Sequence, residues 1–243
     1  MNLDRVIAVR TNRTVYKDGE DCIKVFCQGY PKDEVLSEAF YRALAEKAGL
    51  PVPKLKEVTT VEGKWAIVSE YIAGKSMSRL ISEQPERRSE LLKELVRLQK
   101  EILGKDGALL PRLNDRLRGC LLRAELEATR KYGLLMKLLE MPYETHLCHG
   151  DICPSNVIVS DKGMYVIDWH NAASGSAFAD AATVYLHFLL HRQNQCAEEY
   201  LELFAGGEAD SVLGWVPIVS AASSAESNFQ ERERLLSLVN AVE

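Results

Sequence analysis

The chain has 243 residues, 47% of them hydrophobic and 27% charged, and a formal net charge of −5. That is the make-up of a soluble globular protein with a full core, long enough for one large domain or two small lobes sharing a cleft. No basic run points to a nucleic-acid binder and no window approaches the roughly eighteen apolar residues of a membrane span. Met1 to Arg10 carries Asp4, Arg5 and Arg10 without the apolar stretch of a signal peptide, so the expected location is the cytoplasm. The six cysteines form no C-x-x-C pair and read as reduced, small hydrophobes. Cys148 and Cys153, near His146 and His149, have the spacing of no common zinc finger.

In chain order, Val6–Val9 and Thr14–Tyr16 are expected as strands around a Thr11-Asn12-Arg13 turn. Asp18-Gly19 then favours a primed hairpin turn into a third strand, Asp21 to Phe26. Lys24 interrupts that apolar strand, either as an edge charge against aggregation or as a functional cation. A helix from Glu34 to Ala48 places Val35, Leu36, Ala39, Phe40, Ala43 and Leu44 on one stripe, with Glu38 at its border and Gly49 and Pro51 as the stop. Glu38 is a candidate partner for Lys24, with Glu34 and Glu46 as rivals. Leu55–Thr60 and Trp65–Tyr71 form a second hairpin around Glu62-Gly63-Lys64, and Ala73-Gly74 is the natural hinge. From there the pattern is helical: Ser89 to Leu103, a long stretch from about Asp115 to Met141 with a break at Gly133, then Phe178 to His191, Ala197 to Phe204 and two further segments ending near Val239. The layout is α+β, with a small antiparallel sheet and one helix first and a mostly helical remainder, divided as 1–72 and 73–243.

The densest chemistry lies between His149 and Trp169. His149-Gly150-Asp151 is followed by Asn156, two short β-branched strands around Ser160-Asp161-Lys162-Gly163, and Ile167-Asp168-Trp169. The hairpin brings Asp168 back beside Asn156, with Asp151 near its base. Kinase-like phosphoryl transfer uses such a set: one Asp to accept a hydroxyl proton, an Asn and an Asp to hold Mg2+ on nucleotide phosphates.

These residues, with Ile23-Lys24-Val25-Phe26, Leu50-Pro51-Val52-Pro53 and Ser69-Glu70-Tyr71, resemble the aminoglycoside phosphotransferase and choline kinase family over nearly the whole chain. Thr14 to Gly19 followed by Lys24 also resembles a bacterial subgroup of kinases with unsettled substrates. The resemblance implies a two-lobed protein-kinase-like fold, a nucleotide-binding lobe at 1–72 and a catalytic, substrate-binding lobe at 73–243. It implies a phosphotransferase using ATP (or GTP) and Mg2+ on a hydroxyl of a small molecule such as an aminoglycoside, choline or a sugar. Asp151 would be the base, Asn156 and Asp168 the metal ligands, and Lys24 held by Glu38 the phosphate contact. Main-chain groups in Ser69-Glu70-Tyr71 would read adenine, and His149 and Asp180 would support the catalytic loop.

Two features depart from the family pattern. No glycine precedes Gly19, so Thr11-Asn12-Arg13-Thr14 would have to cover the phosphates, which keeps a catalytically silent nucleotide-binding module as the alternative. Eleven residues separate Asp168 from Asp180, too few for a protein kinase's activation segment, so small hydroxylated acceptors are favoured over peptides. Among weaker signals, His187 and His191 read as a packed or surface pair, and Glu198, Glu199 and Glu202 as a solvated face. Trp215 is expected in the core.

Overall fold

Tight turns fix the register of the amino-terminal sheet in the computed structural model, which describes residues 3–240. Strands β1 (Val6–Arg10), β2 (Arg13–Asp18) and β3 (Asp21–Phe26) run antiparallel, and Gly19 takes φ 57°, the left-handed region that primed hairpin turns use. After helix α1 (Lys32–Lys47), β4 (Leu55–Val61) and β5 (Lys64–Glu70) are joined by Glu62 and Gly63, both at positive φ as a type I′ turn requires. The five-stranded order is β1-β2-β3-β5-β4. Its faces bury Ile23, Val25, Ala66 and Val68 in one cluster, and Phe26, Ile67 and α1's Val35 and Ala39 in another.

The chain continues through β6 (Lys75–Ser76), α2 (Met77–Glu83), α3 (Arg88–Leu103), α4 (Leu113–Arg123), α5 (Ala128–Glu140) and β7 (His146–Cys148). Then come β8 (Val157–Ser160), β9 (Gly163–Val166), β10 (Ala173–Gly175) and the helices α6 (Ala177–Leu190), α7 (Asn194–Ala205), α8 (Ala209–Leu213), α9 (Val216–Ser224) and α10 (Phe229–Asn240). Two compact units result: Met1–Glu83 with Pro154–Asn171, and Gln84–Cys153 with Ala172–Glu243. The outermost residues of the lobes expected at 1–72 and 73–243, residues 1–2 and 241–243, lie outside the described residues, and residues 154–171 join the first unit. The reason is β6: Lys75 pairs with Val159 and Ser76 with Ile158, which ties it to the β8–β9 hairpin in the first unit. Gly74 permits this approach, because a β-carbon there would collide with the Val159 carbonyl oxygen.

Two helices differ from expectation. The buried residues of α1 are Val35, Glu38, Ala39, Arg42 and Ala45, so Glu38 sits in the middle of the inward face. Leu36 and Phe40 are instead 44% and 49% exposed. The apolar count misplaces the stripe because the inward face carries an ion pair. The stretch from 115 to 141 breaks at 124–127, not at Gly133. Ala124 and Glu127 adopt extended ψ of 141° and 144°, and the Glu127 carboxylate caps α5 by accepting from the Arg130 N–H. Gly133 stays inside α5, where a lone glycine costs only about 1 kcal/mol.

In the second unit Leu91, Leu95, Leu98 and Ile102 of α3 are buried at the spacing the sequence predicts. Val184, Phe188, Tyr200 and Trp215 are buried too. Residues 169–176 are spent on a short 3-10 turn, β10 and the Ser176 cap of α6.

Candidate active site

Sheet alternation puts Lys24 on the same face as its cross-strand partner Val15. There its ammonium is 2.6 Å from Glu38 Oε1 and 2.8 Å from Asp168 Oδ1, with the Lys24 side chain only 10% exposed. The rivals are engaged elsewhere: Glu34 accepts from the Tyr30 hydroxyl and Glu46 from the Leu55 N–H. Arg42, one turn along α1, stands 3.6 Å from Glu38.

Asp168 is reached from three sides. Besides Lys24, the Arg13 guanidinium lies 2.5 Å from Oδ2 and His170 Nδ1 lies 3.1 Å from Oδ1. Burial pushes this carboxyl up, but the hydrogen bond with His170 and the charges of Lys24, His170 and Arg13 outweigh it and hold the group well below the usual carboxylate range. Asp168 has φ 69°, a left-handed conformation that costs a non-glycine residue of order 1–3 kcal/mol and that packing must enforce. Trp169, fully buried with its indole N–H on the Val166 carbonyl, anchors the next position.

The β8–β9 hairpin sets Asn156 against Asp168. Val157 pairs with Val166, and the Ile167 N–H donates to the Asn156 carbonyl at 2.9 Å. An amide and a carboxylate, both hard oxygen donors, thus flank one ladder end. In the segment expected to read adenine, Ser69 is buried and lies between Cys22 of β3 and Leu55 of β4. The Glu70 N–H donates to the Lys54 carbonyl and the Tyr71 N–H to the Glu20 carbonyl. The Tyr71 ring lies under the Lys17 ammonium at 4.0 Å.

In the second unit the His149–Asp151 loop is fixed by main-chain bonds. Gly150, at φ 77°, donates its N–H to Asp180 Oδ1 at 2.7 Å, and the Asp151 N–H donates to His149 Nδ1 at 3.2 Å. His149 is fully buried. Asp180, 1% exposed in the first turn of α6, also accepts from the Gln99 amide at 2.8 Å. Gln99 in turn accepts from the Tyr200 hydroxyl at 2.5 Å. Burial raises the Asp180 carboxyl, opposed by the Gln99 and Gly150 bonds and the Arg116 charge.

Arg42, Gln99 and Tyr200 escaped the sequence reading, which named Arg13 only as part of the Thr11–Thr14 turn and gave its side chain no role. The hairpin register carried the signal for Arg13, whereas Gln99 looks like one polar residue among the leucines of α3. The His187 and His191 rings lie tilted with centroids 4.3 Å apart, and Glu199 pairs with Arg88. A cavity of about 480 Å³ beside Arg130, Gly133, Leu134 and Pro217 is lined by none of the predicted site residues.

Comparison with known proteins supplies the lineage. A model of the phosphotransferase enzyme family matches residues 5–215. The chain belongs to that family. No curated protein sequence matches this phosphotransferase-family chain. Among solved structures it is similar to a choline/ethanolamine kinase family protein from Mesorhizobium loti, with TM-score 0.70 and 16% identity over 100% of this chain and 88% of that one. It is also similar to a thermostable mutant of aminoglycoside phosphotransferase APH(4)-Ia in a ternary complex with AMP-PNP and hygromycin B, with TM-score 0.75 and 15% identity over 98% and 92%. A third is amicoumacin kinase hAmiN in complex with AMP-PNP, Ca2+ and Ami, with TM-score 0.68 and 13% identity over 98% and 88%. At these identities the likeness is one of fold, and the phosphotransferase's fold is the protein-kinase-like α+β fold. Among its described residues no helix is long and apolar enough to cross a membrane.

Proposed function

We propose that the chain is an ATP- and Mg2+-dependent phosphotransferase, acting in the cytoplasm on a hydroxyl of an aminoglycoside-, choline- or sugar-like small molecule. The observation that carries this reading is the Lys24 ammonium held between Glu38 and Asp168 at 2.6 and 2.8 Å. In this reading residues 1–72 form the nucleotide-binding lobe and 73–243 the lobe with the catalytic loop and substrate site. GTP is the other purine nucleotide to be tried.

The donor chemistry fits Mg2+. That ion takes one or two protein oxygens and fills the rest of its shell with water and phosphate, so Asn156 and Asp168 suffice to hold it. Bound metal and nucleotide would supply the electrophilic phosphoryl group and neutralise its charge. The chain's own part is positioning. Lys24, oriented by Glu38, binds the α- and β-phosphates, and the strand end Ser69-Glu70-Tyr71 meets the base with main-chain groups other than the Glu70 and Tyr71 N–H, which are donated to Lys54 and Glu20. Asp151 accepts the acceptor's hydroxyl proton, on a loop that His149 and Asp180 keep in place. A small acceptor is supported by residues 169–176, which leave no room for a long peptide-binding segment.

A melting-temperature titration with ATP, with and without Mg2+, tests the reading, since a ligand of the folded state alone raises the midpoint by mass action. A Mg2+-dependent rise absent in Asp168→Ala, followed by ADP release with a small alcohol, is the expected result. No rise at millimolar ATP marks a degenerate, non-catalytic kinase fold, and binding without turnover on any alcohol supports the silent nucleotide-binding module instead. The Arg13–Asp168 ion pair favours that second reading, because it occupies an oxygen the metal would need.

A further inference from the structure

We infer that Arg13 binds the nucleotide's phosphates, doing with a guanidinium what a glycine-rich loop does with main-chain amides; this rests on the nucleotide-binding reading above. The turn before Arg13 is only Thr11 and Asn12, with Arg10 and Arg13 already paired across it. A two-residue tip without glycine closes too tightly to lay a run of amides along a polyphosphate. Any charge supplied at this end of the sheet must come from a side chain.

Register puts that side chain in place. Arg13 pairs with Phe26 and Val15 with Lys24, so Arg13 and Lys24 are diagonal neighbours on one face of the β2–β3 ladder. Both end on Asp168, one on each carboxylate oxygen, at 2.5 and 2.8 Å. One carboxylate balances one cation. Leaving His170 aside, Arg13, Lys24 and Arg42 stand against Glu38 and Asp168, and one positive charge is left over in a group whose side chains are no more than 17% exposed. Once Asp168 serves a divalent cation, Arg13 and Lys24 face the same space uncompensated by it. Two convergent cations, one with the planar fork that matches phosphate oxygens, make a site for a polyphosphate. The ion pair with Asp168 keeps that fork buried and aimed.

Calorimetric titration of the wild type, Arg13→Gln and Arg13→Lys with adenosine, ADP and ATP, each with and without Mg2+, tests this by affinity alone. Loss of a charge-assisted phosphate contact predicts a Kd for Mg-ATP about ten- to a hundredfold weaker in Arg13→Gln. Adenosine binding should be unchanged, and Arg13→Lys should recover part of the loss. Equal or tighter Mg-ATP binding in Arg13→Gln overturns the assignment and leaves Arg13 as a shield over Asp168. An equal loss for adenosine and ATP overturns it too, as damage to the fold. A wild type that takes up neither adenosine nor ATP overturns the nucleotide-binding reading itself.

Discussion

Asp168 and Asp180 are pushed in opposite directions by the regions that hold them. In the first unit Asp168 is held below the usual carboxylate range by cationic partners on flexible side chains. In the second, Asp180 is raised by full burial and hydrogen-bonded by neutral donors, the Gly150 N–H and the Gln99 amide, with Tyr200 behind them and the Arg116 charge as a smaller opposing influence. An over-subscribed set of ion pairs can trade one partner for a ligand. A closed network of single hydrogen bonds has nothing to trade and keeps geometry. The first region is built to exchange and the second to hold still.

Mutations sharpen that contrast. Asp151→Asn should reduce turnover by about 10²- to 10⁴-fold, the usual worth of a positioned base, with circular dichroism and melting unchanged; steady-state rates with the identified alcohol check this, and full activity would remove Asp151 from the chemistry. Asp180→Ala should cost stability directly, about 2–5 kcal/mol in urea unfolding, because the Gly150 N–H and the Gln99 amide are left buried without an acceptor. Glu38→Gln should cost less, about 1.5–2 kcal/mol, since Lys24 keeps Asp168 and the new amide oxygen still accepts. If Glu38→Gln proves the more damaging of the two, the division into an exchangeable and a fixed cluster fails.

The smallest effect is a pH dependence in α6. Burial first, then the neighbouring His191, lowers His187 from 6.5 to about 4. The unfolded chain therefore binds a proton that the folded one refuses. Stability from this group is complete above about pH 6.5 and is lost as pH falls toward 4. Allowing for the ring's partial exposure, about 1–2 kcal/mol should disappear across that window in urea titrations. His187→Asn should flatten the profile there.

How much of this was legible in the sequence varied with the range of the interaction. The hairpins followed from Asp18-Gly19 and Glu62-Gly63, whose turn preferences are local. The pairing of Lys24 with Glu38 was narrowed to three glutamates but needed the face of α1, and that face was misjudged because Glu38 and Arg42 are buried where Leu36 and Phe40 are not. The break between α4 and α5 falls among Ala124, Glu125, Leu126 and Glu127, good helix formers with no local reason to stop, so Gly133 drew the expectation instead. Gln99 and Tyr200 are separated by 101 residues, and neither carries a sign of the other. Arg13 was readable in principle: the Gly19 turn fixes its register against Lys24, and only the position of Asp168 had to come from elsewhere.

The discontinuity of the first unit has a consequence for synthesis. Lys24 and Asp168 are 144 residues apart, and β6 waits for a strand that begins at Val157. A nascent chain translated as far as Glu83 contains the Arg13, Lys24 and Arg42 of the Asp168 cluster but, of its two carboxylates, only Glu38. Until the ribosome has delivered the β8–β9 hairpin and Asp168, that cluster sets one carboxylate against three cations, so the sheet's ion pairs can close only late in synthesis.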